Sequence, residues 1–426
     1  MKIQITNGRI IDPANGLDLI GSVYIEDGVI LSVGKAVAGF KPQHLIDATD
    51  QWVCPGLIDL SARFGDHAQQ GLASIASESI AAASAGVTTV CCPPDTSPVI
   101  DTPAVVELIN QRAARSGKTR IFTIGALTHG LAGDRLAEMY SLQQAGCVAV
   151  SNANRPVASN EILRRAFEYA ASTNLTVFIQ AEDHTLRNQG VINEGAFSTR
   201  LGLPPIPETA ETVAVSTALL LAEQTGVRAH FCRLSTARAV NMIARAKQSG
   251  LPVTADVDIC HLYLTEQDVD GYNVNCHLSP PLRRLEDQQA LIQGLIDGTI
   301  DAVVSDHYPL SEDAKVAPFN LTRPGASTIE MLLPLMLDMV TRKQLSTLQA
   351  LEKVTSNPAR ILDQNLGSLG VGCLADLIVI DPNQSWTVNR QNLRSAGKNT
   401  PFDGWELMGK ITHTLLKGQT VYPALE

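Results

Sequence analysis

The chain has 426 residues, 45% of them hydrophobic and 18% charged, with a formal net charge of −10. That is globular composition with room for one large domain and an appendage, or for two or three domains, and the acidic balance argues against a nucleic-acid surface. No apolar run approaches the roughly 18–20 residues of a membrane span. The opening MKIQITNGRIIDP reads as a strand and turn with no signal-peptide core. Eight cysteines lack C-x-x-C spacing, so reduced thiols in a cytoplasmic protein are expected, not disulfides or a zinc knuckle.

In chain order, residues 1–54 form short alternating segments, KIQITNGRII and GSVYIEDGVILSVG, with Asn7-Gly8 and Asp27-Gly28 as hairpin signals. From residue 55 the pattern becomes helix, glycine or asparagine, apolar strand. ASESIAAASAG precedes VTTVCC, EILRRAFEYAASTN precedes LTVFIQ, and TVAVSTALLLAEQTG precedes VRAHFC. AVNMIARAKQSG then leads into LPVTADVDI, and DQQALIQGLIDG into TIDAVVSD. Nearly continuous apolar strands after helices imply a parallel sheet covered on both faces. About eight such units fit residues 55–364, so a (β/α)8 barrel is expected over a doubly wound sheet, and no G-x-G-x-x-G follows any strand. Residues 365–426 return to short β segments (LADLIVIDP, SWTVN, ITHTLLKGQTVY) and should join residues 1–54 in a small composite β-sandwich domain.

A barrel's active site lies at the carboxyl ends of its strands. The stretch PGLIDLSARFGDHAQQG, residues 55–71, has an apolar strand Gly56–Leu60 running into Ser61 and Arg63, which alternation places on one side. The other strand ends supply Cys91 and Cys92, Ser151 and Asn152, then Gln180 with Glu182 and Asp183. Arg233 follows, then Asp256, Asp258, Cys260 and His261, and finally Asp306 and His307. Zinc takes thiolate, neutral imidazole or carboxylate, whereas arginine offers only donors and a positive charge. This mouth reads as one built without a metal. The remaining candidates for a rearranged cation site are Asp306, His230, His261, Asp66, His67 and the pair Asp256 and Asp258. Against them, His230 is expected to be a hydrogen-bonded core residue, and Arg233 to salt-bridge the Asp256–Asp258 pair. Asp306 itself should pair with Arg63 or Arg233.

Over nearly its whole length the chain resembles the dihydroorotases of the amidohydrolase superfamily. PGLIDL, SNANRPV, QAED, HFCRLST, SDHYP, PFNLTRPGASTIEMLLPLML, TSNPARIL, GSLGVGCLADLIVIDP and NTPFDGWELMGK stand in family order. The resemblance implies a barrel with a small composite β domain, and metal-activated water that interconverts carbamoyl-aspartate and dihydroorotate. Carried over position by position, the family's first-strand histidines are Ser61 and Arg63 here, and its substrate-binding arginine is Gly65. The assisting asparagine is Asp95, and the paired aspartates fall on Asn152, Ala153 and Asn154. The later ligand histidines are Gln180 and Arg233; only Asp306 is kept, as a vestige of the catalytic aspartate.

The resemblance therefore implies a non-catalytic chain without zinc, with no working metal, catalytic or substrate-binding set. Inactive homologues of this kind are subunits that support assembly of aspartate carbamoyltransferase in pyrimidine biosynthesis. The catalytic chain of that enzyme is the expected partner, together with self-association and without nucleic acid or membrane. The alternative is an active dihydroorotase or related cyclic-amide hydrolase with a rearranged metal site. A third reading is a sensor in which Arg63 and Arg233 bind an anion. The order of segment 311–327 is left open.

Overall fold

The computed structural model describes residues 1–64 and 73–423. Gly65, Asp66 and His67 lie outside the described residues.

Eight parallel strands form the centre: Leu57–Asp59, Val87–Cys92, Arg120–Ala126, Ala149–Ser151, Thr176–Ile179, Ala229–Phe231, Val253–Asp258 and Ala302–Val304, each paired with its neighbours in that order. The eighth meets the first just beyond their ends, through a parallel bridge between Ala62 and His307 and a 2.8 Å bond from Arg63 N–H to the His307 carbonyl. The third strand, Arg120–Ala126, adds a strand end not expected from the sequence.

The helices between strands start and stop on local signals. Ser74, Ser159 and Thr236 accept backbone N–H groups as N-caps of helices Ile75–Ser84, Asn160–Ser172 and Ala237–Gln248. Gly117 and Gly226 take left-handed backbone (φ 58° and 67°) at the ends of helices Pro103–Ser116 and Thr209–Thr225. Inside the barrel, Ile58, Leu60, Cys91, Ile124, Phe178 and Val304 form a floor, closed from below by Ala359 and Ile361 of helix Ser356–Ile361. A larger core fills the layer between strands and helices. The polar mouth is thus the opposite, carboxyl end.

Strands from the two ends of the chain hydrogen-bond into one eight-stranded sheet. Strand Trp52–Pro55 joins them, parallel to Lys2–Asp12 on one side and antiparallel to Leu377–Thr387 on the other. Strand Lys2–Asp12 breaks register between Ile5 and Gly8, where Asn7 has φ 62°. Its first half pairs with His44–Asp47 and its second with Trp52–Pro55. The two ends share one core, with Ile5, Val23 and Val53 packed against Leu377, Val379 and Leu415. Segment 311–327 contains the turns Glu312–Lys315 and Phe319–Leu321, and Phe319 stacks on His277 at 4.7 Å between ring centroids.

Candidate functional site

Ser61 and Arg63 do face the same way, but not by strand alternation. The first strand ends at Asp59, with Ile58 and Leu60 inside the barrel and Ala62 and Phe64 in the outer core. The buried Asp59 carboxylate accepts the Ser61 and Ser305 N–H groups, both at 3.2 Å, and the Ser305 hydroxyl. This ties the ends of the first and eighth strands together and turns Ser61 and Arg63 towards the axis. Burial outweighs those hydrogen bonds and pushes the Asp59 carboxyl up to about 7.

At the centre of the mouth is Asp306. Its Oδ1 accepts from the Ser61 hydroxyl at 3.0 Å, from Arg63 Nη1 at 3.2 Å and, closer still, from Arg233 Nη1. It pairs with both arginines. Arg233 also donates through Nη1 to Ser61 Oγ at 3.2 Å and through Nη2 to Gln180 Oε1. Arg63 Nε donates to Asp95 Oδ2 at 3.0 Å, and its guanidinium lies 4.8 Å from the Tyr308 ring centre. Burial acts to raise the Asp306 carboxyl, yet the charges of Arg233 and Arg63 prevail and hold it below its usual value. For Arg63, burial acts to lower it and the Asp95 and Asp306 charges raise it further. Among the described residues, the two guanidiniums and two carboxylates of this network sum to zero charge.

Backbone shape aims several of these groups. Ala153, Arg233 and Asp306 have positive φ (48°, 56° and 43°) just beyond the fourth, sixth and eighth strands. Non-glycine residues rarely adopt this conformation, and such strain concentrates at functional sites, at about 1–3 kcal/mol each. Asn152 does not reach the centre. It accepts from Thr128 at 2.6 Å and donates to the carbonyls of Arg155 and Pro156, so it organises its own loop. Asn154 donates to Ser279.

Several expected mouth residues are placed elsewhere. Asp256 is not salt-bridged by the Arg233 side chain. It accepts the Arg233 backbone N–H and bonds His230 Nε2 at 2.8 Å, while His230 Nδ1 meets Thr254 at 2.8 Å, with His230 and Asp256 fully buried. Asp258 caps the turn Ile259–Leu262 and bonds His261 at 3.2 Å. Glu182 pairs with Arg187, and Asp183 caps the turn that starts at His184. His307 faces away from the mouth: Nδ1 accepts from Thr328 N–H at 3.1 Å, which leaves the Nε2 proton to donate to Glu78 at 3.0 Å. Ser235 and Thr236 bond Glu211.

Glu78, Glu211, Thr128 and Tyr308 were not singled out from sequence. Glu78 had a usable signal, a lone carboxylate amid the small apolar residues of ASESIAAAS.

Among the described residues, zinc does not suit the donors at the barrel centre. Ser61, Gln180 and Asn152 are weak ligands, two positions are arginines, and the Asp306 oxygen facing them is already spent on three donors. Among the described residues, one group has donors of a metal-binding kind: His230, Cys232 and Asp256, whose ligand atoms lie within 4.8 Å of one another. Burial and the Asp256 charge push the Cys232 thiol well up, against the thiolate a metal needs.

The barrel, its strand-end mouth and the sheet built from both termini define an amidohydrolase architecture. Residues 199–422 match the amidohydrolase family model, and residues 50–239 match a dihydro-orotase-like model. A "Dihydroorotase-like protein" of Pseudomonas aeruginosa is 43% identical over 422 residues, covering 99% of this chain and 100% of that one. A "Dihydroorotase" of Geobacter sp. strain M21 is 41% identical over 424 residues, covering both chains in full. The L-hydantoinase of Arthrobacter aurescens shares the fold, with a TM-score of 0.87 at 23% identity over 98% of this chain and 95% of that one. The chain belongs to the dihydroorotase-like branch of the amidohydrolase family. No helix among the described residues is long and apolar enough to cross a membrane.

Proposed function

We propose that this chain is a non-catalytic, zinc-free member of its family. In this reading it acts in the cytoplasm as a subunit that supports assembly of aspartate carbamoyltransferase in pyrimidine biosynthesis. The observation that supports it most is the Arg63–Asp306–Arg233 cluster. Metal-assisted hydrolysis needs a cation to activate water and an aspartate free to take its proton. Here Asp306 is held ionised between two guanidiniums, and those guanidiniums stand at positions where the resemblance puts metal ligands. Arg63 and Arg233 are also engaged by Asp95 and Gln180, which disfavours the anion-sensor reading.

The scaffold around the dead centre is complete, with strained strand ends and a closed barrel, as expected of a fold retained for what it binds. A second reading, hydrolysis through a displaced cation, is favoured among the described residues by the His230–Cys232–Asp256 group. The test is to mix the purified chain with the transferase catalytic chain at micromolar concentration and run a sizing column. Bound zinc and dihydroorotate turnover are measured on the same preparation. Co-elution with neither turnover nor stoichiometric zinc is the expected result. Clean separation, or turnover that tracks zinc and is lost in Asp306→Ala, overturns the proposal.

A further inference from the structure

Helices Asn160–Ser172 and Thr209–Thr225 pack side by side, over the outward-facing Val177 and Ile179 of the fifth strand. Towards the carboxyl end of that strand they part around a cavity of about 250 Å³. Leu163, Phe167, Val177 and Ile179 make its apolar floor, and on the second helix the small Ala214, Thr217 and Ala218 leave it unfilled. Val213, 42% exposed, stands at the opening, so the hollow can be entered from outside. A hollow of about 150 Å³ takes benzene, so this one has room for a ring-sized apolar body and a polar head. Phe178, between Val177 and Ile179, faces the barrel interior instead, which puts the hollow outside the barrel wall and apart from the Arg63–Asp306–Arg233 cluster.

The rim carries both signs of charge: Arg155 on the loop after the fourth strand, and Glu182, Asp183 and His184 on the loop after the fifth. Both loops are pinned. The Asn152 amide donates to the carbonyls of Arg155 and Pro156 at 3.0 and 3.3 Å, and the Asp183 N–H donates to the Ala210 carbonyl at 2.6 Å. The Asp183 carboxylate is spent on its own loop, accepting from the N–H groups of Thr185 and Leu186 at 2.9 and 3.0 Å. The other three groups have capacity left. Among the described residues, the side chains of Arg155 and half-buried His184 have no hydrogen-bond or ion-pair partner, and Glu182 gives only Oε2, to Arg187 at 3.1 Å. Glu182 and Arg155 both act on the His184 ring, so a carboxylate and a guanidinium stand within reach of one imidazole. Burial holds that imidazole below its ordinary value, leaving it neutral with one N–H to donate. A lone anion here would face Glu182 and Asp183, and a lone cation would face Arg155. A zwitterion whose two charges share one carbon meets both halves of the rim, and a pocket with an apolar body and a few converging polar groups is the usual form of a small-molecule site.

We propose that this hollow binds a free α-amino acid with a large apolar side chain, its body between the two helices, its carboxylate on Arg155 and its ammonium group on Glu182. The probe is L-phenylalanine, titrated by calorimetry into the full-length chain, where it should bind saturably and once per chain. L-Alanine lacks the apolar body, and 3-phenylpropionate and 2-phenylethylamine each lack one charge. All three should bind at least about tenfold more weakly. Ala214→Trp, which fills the hollow, should abolish binding. Arg155→Ala, at an exposed side chain that holds nothing in the fold, should weaken L-phenylalanine by about tenfold or more and leave 2-phenylethylamine unchanged, because only the former has a carboxylate to lose. Thermal unfolding of each variant separates a lost site from a lost fold, and Arg155→Ala carries the test if Ala214→Trp fails to fold. The proposal is overturned by the absence of saturable L-phenylalanine binding at millimolar concentration, or by 3-phenylpropionate or 2-phenylethylamine binding as tightly. Binding that survives Arg155→Ala undiminished overturns it too. Every readout is binding by the isolated chain, so none depends on the chain being inactive or on the transferase.

Discussion

Asp306 is one side chain on which two buried cations depend. In Asp306→Asn the amide keeps the shape but removes the charge, leaving the buried Arg63 and Arg233 without the carboxylate they share. Breaking a buried pair in this way costs about 3–5 kcal/mol, so the denaturant midpoint should fall by several tenths of a molar or more, read by equilibrium unfolding. The same residue sets an acid dependence. Its carboxyl sits below the ordinary 3.8 in the folded chain, so its stabilisation is present above that pH and is lost as pH falls through the folded value. His277 acts earlier in the acid range. Burial, with Lys315 and Arg187 nearby, lowers it to about 3 from 6.5, so the unfolded chain takes up its proton first. Stability should therefore decline as pH drops from 6.5 towards 3, by up to about 1.4 kcal/mol per pH unit. His277→Gln should flatten that part of a stability–pH curve measured by thermal unfolding.

At the level of elements, the barrel is clamped to the C-terminal segment through helix Ile75–Ser84. Glu78, fully buried, accepts from His307 Nε2 at 3.0 Å, Ser395 Oγ at 2.7 Å and the Ala396 N–H at 3.1 Å. Burial raises its carboxyl, but the hydrogen bonds from His307, Ser395 and the Ala396 N–H together more than offset this and keep it below its ordinary value. Glu78→Ala strips three donors of their acceptor, each worth about 1–3 kcal/mol when left unsatisfied. Hydrogen exchange at residues 393–399 should speed up more than in the terminal sheet, and equal acceleration throughout would argue for global destabilisation instead. The elements themselves were legible from sequence, because glycine-ended helices before apolar strands encode a parallel barrel directly. The third strand end was overlooked because RIFTIGA leads into a turn without charged residues. The placement of His307 was illegible for a different reason. Which way a residue beyond a strand points depends on backbone turns such as the positive φ of Asp306, and periodicity does not report them.

The molecule as a whole is closed by its two ends. Strand Trp52–Pro55 has neighbours from both termini, and Asp376 accepts from Arg120 at 2.6 Å and from the Lys417 N–H at 2.7 Å. A chain ending at residue 364 would lose Leu377, Val379 and Leu415 from the shared core and expose a sheet edge. It should be recovered insoluble, checked by the soluble fraction on expression against the full chain. The identity of the central residues was plain in the sequence, since Ser61, Arg63, Gln180, Arg233 and Asp306 are read off one by one. Their bonding was only partly so. The link from Arg63 to Asp306 followed from charge, but the Asp256–His230 pair and the part played by Asp95 depend on distances between strands far apart in the chain.

The balance of charge at the mouth also bears on the direction of change open to this lineage. Changing Arg63 or Arg233 alone to histidine would remove a guanidinium from this set and leave the Asp306 carboxylate short of a partner. Either single change would lose stability. The Arg63–Asp306–Arg233 network thus works as a ratchet, because its members can be exchanged together at less cost than one at a time.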